Sequence, residues 1–213
     1  MTFNIAPKLM IVICAVYAVF VFSIFPAWTV DDAFITYRYA EHLAQNGELN
    51  WNVGADPVEG YTGIVLPTVL AGFIKLGASP IMVSRSIGIV SFFLSLWLLF
   101  VLLRELKIHP IISGSTLLIF GTIPVLFTHA TSGLETMLFV SAMLFALYTF
   151  IRSKTGFLFF WSLLFVSLVR PEGVLFAGLL FLAAAASIYR TDRTSFVPFL
   201  IRFCAAYFLP ALA

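Results

Sequence analysis

Charged residues are rare in this sequence. Only 10% of its 213 residues are Asp, Glu, Lys or Arg and 62% are hydrophobic, against about 25% and roughly 45–50% in a soluble domain. With a mean hydropathy of +1.06, the chain has too little polar surface to fold as a water-soluble globule. The composition therefore predicts an integral membrane protein. The net charge of +2 is too small to indicate a nucleic-acid partner.

Cysteine and histidine are also scarce, and the glycine motifs that bind nucleotides are missing. The two cysteines, Cys14 and Cys204, lie inside hydrophobic runs, where cysteine usually behaves as a small apolar residue and not as half of a disulfide. The three histidines are scattered and show no metal-ligand spacing. No Walker motif, glycine-rich turn or nucleophile elbow occurs, so a soluble nucleotide-sugar enzyme or a hydrolase has no support.

Long apolar runs dominate the rest of the sequence and predict an all-α polytopic fold with about seven transmembrane helices. A membrane span needs about 20 apolar residues. The first run is too long for a signal peptide and no cleavage site follows it, so it is expected to remain as an anchor. The predicted spans cover residues 9–27, 82–103, 111–127, 137–151, 157–169, 174–189 and 196–213.

The shorter apolar run at residues 64–76 decides the topology. As a full span it would place the later basic loops on alternating sides, whereas as a re-entrant or interfacial helix it leaves them all on one side. The positive-inside rule favours the second arrangement, with a cytoplasmic N-terminus. Residues 1–213 then form one transmembrane domain, with residues 28–81 as its first extracytoplasmic loop. Seven basic residues fall on the cytoplasmic side: Lys8, Arg104, Lys107, Arg152, Lys154, Arg190 and Arg193.

Three polar segments emerge together on the extracytoplasmic side. They are the pair Asp31 and Asp32, the sequence SGLET at residues 132–136 and the sequence RPEG, which contains Arg170 and Glu172. The span before RPEG rises only about 20 Å against a hydrocarbon core of about 30 Å, so we expect its two charged residues to lie in a recess. Ionisable residues at such a depth are functional-site candidates by default. The alternative is that Arg170 and Glu172 only form an ion pair that closes a turn.

The segment that begins with Asp31 is predicted to be an interfacial helix. Asp31 or Asp32 is suited to be its N-cap, and Asn46 with Gly47 forms a typical helix end. On this helix Asp31 and Arg38 share one face while Asp32 points about 100° away. The alternative is that one aspartate caps the helix and the other is merely solvated. Four residues are expected to form the apolar side of the helix: Phe34, Ile35, Tyr39 and Leu43.

The stretch DDAFITYRYAEHLAQNGELNWNVGADPVEGYTG, followed by SGLET and VRPEG, resembles the N-terminal membrane region of the C-type-fold glycosyltransferases. The resemblance covers nearly all of the chain and is strongest to the bacterial branch that includes the mycobacterial arabinofuranosyltransferases. It implies a sugar donor on a polyprenyl phosphate, a catalytic acid in the first extracytoplasmic loop and a location in the bacterial inner membrane. Family members are several hundred residues long. The chain is therefore expected to be truncated, with a downstream polypeptide that completes the fold.

The chemistry implied by the resemblance assigns roles to the polar residues. A glycosyl phosphate already has a good leaving group, so transfer needs a carboxylate that takes the acceptor's proton and a cation that holds the departing phosphate. Asp31 or Asp32 would be the base, with a slight preference for Asp32. Arg170 would clamp the phosphate through its guanidinium group, and Arg38 and Arg85 are the alternatives.

Other acidic and aromatic residues would contact the sugar or a metal. Glu135 and Glu172 would orient the sugar hydroxyls, or Glu135 would join the two aspartates in holding a hard divalent cation such as Mg²⁺, Ca²⁺ or Mn²⁺. Glu59 and Tyr61 in VEGYTG would contact sugar by hydrogen bonding and ring stacking, or would only anchor the loop. Metal dependence stays open at this point.

The sequence thus predicts a glycosyltransferase that moves a sugar from a polyprenyl-phosphate donor to a glycan, lipid or protein acceptor of the cell envelope, on the extracytoplasmic side. One alternative is a carrier or flippase for lipid-linked sugars, which would show inverted repeats and helices broken near mid-membrane. The clustering of the acidic residues on one side favours the transferase. The other alternative is an inactive structural fragment of such a transferase. No feature of the sequence indicates which sugar or acceptor is used.

Overall fold

The computed structural model describes residues 6–24, 28–54, 56 and 58–208, and all regular elements in those residues are helical. The predicted all-α fold is therefore confirmed. A 3-10 turn at Arg193–Ser195 precedes the last α-helix, and a π-helical turn at Cys204–Phe208 follows it. The ten α-helices in this part of the chain are α1 (Ala6–Ile24), α2 (Asp31–Asn46), α3 (Val65–Lys75), α4 (Pro80–Glu105), α5 (Pro110–Thr122), α6 (Pro124–Thr131), α7 (Thr136–Arg152), α8 (Phe157–Val169), α9 (Glu172–Thr191) and α10 (Phe196–Phe203).

Each predicted apolar run contains helix, but residues 25–27 and 209–213, at the ends of the first and last predicted spans, lie outside the described residues. In the last run, α10 covers only Phe196–Phe203 before the π-helical turn. The run at residues 111–127, predicted as one span, forms two helices, α5 and α6, whose axes differ by 51°. Pro124 has no amide hydrogen and disfavours a helical conformation at the preceding residue, and Ile123 has an extended ψ of 117°. The prediction of a continuous span is therefore wrong here. The short helix predicted at residues 64–76 is present as α3.

Two helices of the described chain, α4 and α9, are long and apolar enough to cross a membrane. The bent pair of α5 and α6 adds a third crossing if it counts as one span. Helices α7 and α8 are apolar but shorter. Length and composition thus support a membrane protein, while the number of seven spans stays a prediction.

Helix α4 is central to the helix packing. It lies along α7 and also contacts α1, α3, α5 and α6, while α8 packs on both α7 and α9. Small residues allow helices to approach closely, and α4 buries four of them at helical spacing: Ser84, Gly88, Ser91 and Ser95. Buried phenylalanine rings fill the wider spaces between helices: Phe92, Phe127, Phe159, Phe160 and Phe199.

Contacts between helix termini define two ends of the helix bundle. Arg152 Nη1 lies 3.3 Å from Glu105 Oε1, which joins the C-terminal ends of α7 and α4. Near the other end of α7, the Ser132 carbonyl accepts a hydrogen bond from the Val30 amide at 3.0 Å. The first end, called the basic end, comprises residues 104–107, 152–154 and 190–193. The second, called the acidic end, comprises residues 29–33, 58–63, 132–136 and 170–172.

Candidate functional site

Helix α2 places Asp31 and Asp32 at the acidic end. They are its first two residues, and Val30, which has an extended backbone, is the N-cap. The predicted capping role of the aspartates is therefore wrong. The Val30 amide donates to the Ser132 carbonyl, and this bond holds Val30 extended, so that the helix begins at Asp31. Acidic side chains are favourable in a first helical turn. Both aspartates are exposed, and within the described residues neither has a hydrogen bond or an ion pair.

The buried side of α2 differs from the predicted apolar side. Of the four residues predicted to be apolar contacts only Tyr39 is buried, and Phe34 is 50% exposed. The prediction relied on large apolar residues, whereas the buried side of α2 combines two tyrosines with small side chains that let neighbouring segments approach the helix closely. The predicted helix end at Asn46 is confirmed. The buried residues besides Tyr39 follow helical spacing: Ala33, Thr36, Tyr37 and Ala40.

The SGLET turn packs directly on α2. Gly133 has a φ of 88°, and a Cβ atom at this position would overlap the Tyr37 hydroxyl, so the turn requires glycine. The Tyr37 hydroxyl lies 2.7 Å from Ser84 Oγ of α4. Burial raises the pKa of Tyr37 above its ordinary value, against the opposing effects of the Ser84 hydrogen bond and the Arg85 charge. The phenol is therefore protonated at neutral pH and links α2 to α4.

The RPEG turn supplies an arginine held between two carboxylates. Arg170 Nε lies 3.6 Å from Glu135 Oε1, and Arg170 Nη2 donates to Glu172 Oε1 at 3.3 Å. Glu135 is only 5% exposed, so its carboxylate faces Arg170 and not the solvent. The Phe139 ring also contacts the arginine, with its centroid 5.9 Å from Arg170 Cζ. The ion pair between Arg170 and Glu172, which was the alternative to a functional role, is present, and Glu135 lies where it can position the arginine.

The VEGYTG segment reaches the same turn. A Cβ atom at Gly63 would overlap the Val169 carbonyl oxygen, immediately before Arg170. The Tyr39 hydroxyl donates to the Val58 carbonyl at 2.5 Å, and the rings of Tyr39 and Tyr61 lie 5.1 Å apart in an edge-on contact. Burial raises the pKa of the Tyr61 phenol, with smaller contributions from Glu59 and Tyr39. Tyr61 is partly buried against Tyr39, whereas Glu59 is exposed.

The two alternative phosphate ligands have different surroundings. Arg38 donates from Nε to the Trp51 carbonyl at 2.8 Å and from Nη2 to Asn52 Oδ1 at 3.0 Å, and its Cζ lies 4.3 Å from the Trp51 ring centroid. These contacts commit Arg38 to holding the loop after α2. Arg85 Nη2 instead donates to Thr29 Oγ1 at 2.6 Å, two residues before Asp31. Thr29 was not predicted as a site residue, and the only signal for it was its place next to the aspartates.

The described residues do not provide a ligand set for the predicted divalent cation. No three His, Cys, Asp or Glu side chains among them lie close enough together to hold a metal ion. Glu135, the third predicted ligand, faces Arg170 and is buried. His42 Nδ1 lies 2.8 Å from the Asn50 carbonyl and is committed to the loop after α2.

The acidic end therefore joins four segments that are far apart in the sequence. Hydrogen bonds connect Thr29 to Arg85 and Val30 to Ser132. An ion pair connects Glu135 to Arg170. The two exposed carboxylates of α2 thus lie beside a surface that contains two partly buried guanidinium groups, which is suited to proton abstraction next to an anionic ligand. Comparisons with protein-family models, with curated proteins and with solved structures find no significant match to this chain.

Proposed function

We propose that this protein is a membrane glycosyltransferase that moves a sugar from a polyprenyl-phosphate donor to an acceptor hydroxyl at the acidic end. The observation that supports this proposal best is the arrangement of charge at that end. Asp31 and Asp32 are exposed and have no partner in the described residues, whereas nearby segments hold Arg85 and Arg170 in fixed contacts. Unpaired carboxylates accept protons, and fixed guanidinium groups bind phosphate.

An aspartate of α2 acts as the base in this proposal. It takes the proton from the acceptor hydroxyl as the acceptor oxygen forms a bond to the anomeric carbon of the sugar. The bond between that carbon and the phosphate oxygen breaks, and the polyprenyl phosphate leaves with the electron pair. A phosphate leaving group needs no strong general acid.

Arg170 is the proposed phosphate ligand, and Glu135 is a positioning residue. The buried Glu135 carboxylate holds Arg170 from the Nε side. Glu172 is 60% exposed and occupies Nη2, so a phosphate oxygen that binds there displaces an exposed carboxylate and leaves the buried pair intact. Arg85 supplies a second cation close to the aspartates. Glu59 and Glu172 are exposed and can accept hydrogen bonds from sugar hydroxyls.

We infer that the chain has seven spans in a bacterial plasma membrane, with the acidic end extracytoplasmic. The basic end carries six Lys or Arg residues and only two acidic residues, Glu105 and Asp192, and such loops remain on the cytoplasmic side. An acidic end on the outer face would meet lipid-linked sugars and acceptors of the cell envelope.

The alternative of a lipid-linked-sugar carrier has one observation in its favour. Carriers place broken helices near mid-membrane, and α5 and α6 are separated by a 51° bend at Pro124. The break carries no charged side chain, whereas the charged residues of the candidate site lie at one end of the bundle. The transferase is therefore the better-supported function, and the carrier becomes an outcome of the experiment below.

The test is sugar transfer from a mixed pool of polyprenyl-phosphate sugars by the purified chain in nanodiscs. Replacing both Asp31 and Asp32 with Asn should lower transfer by at least about 100-fold, the smallest usual contribution of a general base. Donor binding should be nearly unchanged. Glu41→Gln, an exposed acid of the same helix, is the matched control. Transfer at the wild-type rate by the double variant would contradict the mechanism, and donor translocation without transfer would favour the carrier.

A further inference from the structure

A polar cavity of about 420 Å³ lies at the basic end, between the connection from α7 to α8 and the C-terminal end of α9. Arg152 and Lys154 contribute its cations, and Ser187 of α9 contributes a hydroxyl group. None of these residues has a role in the proposed sugar transfer. The cavity is therefore a separate feature of the molecule, and its chemistry can be considered by itself.

Lys154 is the cation of this cavity that lacks an acidic partner. Its Nζ donates to Ser187 Oγ at 2.7 Å and lies 5.2 Å from the Phe150 ring centroid, and no described carboxylate pairs with it. Arg152 is already paired with Glu105 at 3.3 Å. A half-buried ammonium group that donates to a hydroxyl and forms no ion pair with a carboxylate is suited to an anionic ligand with oxygen acceptors.

Asp192 also lines the cavity, and its charge must be weighed against Lys154. Its Oδ1 accepts from the Thr194 amide at 3.0 Å and from Thr194 Oγ1 at 2.6 Å, and its Oδ2 accepts from Ser195 Oγ at 2.5 Å. These hydrogen bonds, with that of Ser195 first, lower the pKa of Asp192, so it is charged at neutral pH. The hydrogen bonds from Thr194 and Ser195 hold the Asp192 carboxylate at the 3-10 turn that precedes α10, where it forms no ion pair with Lys154.

A second cavity of about 560 Å³ adjoins the first, and Thr155 lines both. The second cavity is mainly apolar and is lined by Phe157, Phe160 and Trp161 of α8 together with Arg202. A polar, cationic cavity next to an apolar one has the chemical pattern of a phospholipid, which joins an anionic headgroup to an acyl chain. A free phosphate would use only the first cavity.

The position of the pair of cavities also fits a lipid. The first cavity is at the C-terminal end of α9. Among the described residues, α9 is one of two helices long and apolar enough to cross a membrane by themselves. If α9 crosses, this end lies at a membrane surface in either orientation of the chain. Basic pockets between helices at such a surface bind anionic phospholipid headgroups.

We propose that the basic end holds one anionic phospholipid, with its phosphate bound by Lys154 and the neighbouring hydroxyls and an acyl chain lying against Phe157 and Trp161. The site is independent of the proposed glycosyltransfer. It requires only that the chain is embedded in a bilayer that contains acidic lipids.

The first test is native mass spectrometry of the detergent-solubilised full chain with dioleoylphosphatidylglycerol or dioleoylphosphatidylcholine. We expect one tightly bound phosphatidylglycerol and no comparable phosphatidylcholine. Lys154→Gln should weaken phosphatidylglycerol binding about tenfold, as expected for one charge-assisted hydrogen bond, and Lys154→Arg should largely retain it. Lys107→Gln removes the same charge at the same end outside the cavity and should have little effect. Equal affinity for the two lipids, or equal losses in the two Gln variants, would overturn the proposal.

A second measurement does not depend on a Lys154 variant. Phosphatidylglycerol with brominated acyl chains should quench the fluorescence of Trp161, isolated as the difference between the wild type and Trp161→Phe. Brominated phosphatidylcholine in the same micelles should quench it less. Inorganic phosphate at millimolar concentration distinguishes the two sources of the anion. If it displaces phosphatidylglycerol and quenching of Trp161 is the same for both lipids, the cavity is a free-phosphate site and the lipid proposal is wrong.

Discussion

The acidic and basic ends each contain an ion pair of similar length, but the pairs differ in burial. At the acidic end Arg170 and Glu135 are 3.6 Å apart, and their side chains are 26% and 6% exposed. At the basic end Arg152 and Glu105 are 3.3 Å apart, and their side chains are 58% and 23% exposed. Water screens an exposed pair, whereas separating a buried pair leaves a charge without solvation. Burial, and not distance, should therefore decide how much each pair contributes to stability.

The largest effect is expected from Arg170→Met. This change removes the cation but keeps much of the side-chain volume beside Phe139, and it leaves Glu135 buried without its counter-charge. The free energy of unfolding should fall by about 3 kcal/mol, at the lower end of the range for a broken buried pair because Arg170 is partly exposed. Unfolding by SDS in mixed micelles of the purified chain measures this change.

Two variants serve as controls for this prediction. Glu172→Gln removes the exposed partner of the same arginine and should cost at most about 1 kcal/mol, as is usual for a surface pair. Adding Glu135→Gln to Arg170→Met removes the stranded charge and should recover part of the lost stability. If Glu172→Gln and Arg170→Met cost the same, the burial argument is incorrect.

The apolar runs made most helices predictable, because a run of large apolar residues in a membrane leaves few other conformations. The break between α5 and α6 was missed because the apolar run continues through Pro124, although proline is itself a signal for a helix break. The buried side of α2 was missed for a different reason. Small residues such as Ala33 and Ala40 have little hydrophobic signal, and only the neighbouring segments determine that they are buried.

The candidate site was predictable as a set of segments but not as a set of contacts. The polar segments at the ends of apolar runs could be read from the sequence, and the structure brings them to one end of the bundle. The burial of Glu135 against Arg170 could not be predicted from the sequence. The two residues are 35 positions apart, and their contact depends on how α7 and α8 pack together. Which residue caps α2 likewise depends on the distant carbonyl of Ser132.

A smaller effect is expected from Gly63→Ala at the acidic end. The new methyl group would overlap the backbone carbonyl of Val169, which cannot turn aside as a flexible side chain can. We expect the free energy of unfolding to fall by about 2 kcal/mol, within the usual cost of overpacking. At the basic end a Cβ atom on Gly156 would lie 3.0 Å from Ser153 Oγ, which can rotate away, so Gly156→Ala should cost less.

Gly72→Ala in α3 is the control for both glycine variants, because nothing lies within 4 Å of the added atom. Alanine is favoured over glycine in a helix interior by up to about 1 kcal/mol, so this change should be neutral or stabilising in the same SDS titration. A loss at Gly156 as large as that at Gly63 would show that both ends are equally constrained and would remove this part of the comparison.

The smallest effect is expected from Arg152→Gln at the basic end, measured in neutral detergent without acidic lipid. Arg152 and Glu105 are both accessible to water, so each side chain can be solvated after the pair is broken. A double-mutant cycle with Glu105→Gln should give a coupling energy of roughly 0.5 kcal/mol, and this value should decrease in high salt because the pair is screened. The same cycle for Arg170 and Glu135 should give a larger coupling that depends little on salt. A coupling of about 2 kcal/mol or more between Arg152 and Glu105 would exceed the usual range for exposed pairs and would mean that the basic end is as rigidly organised as the acidic end.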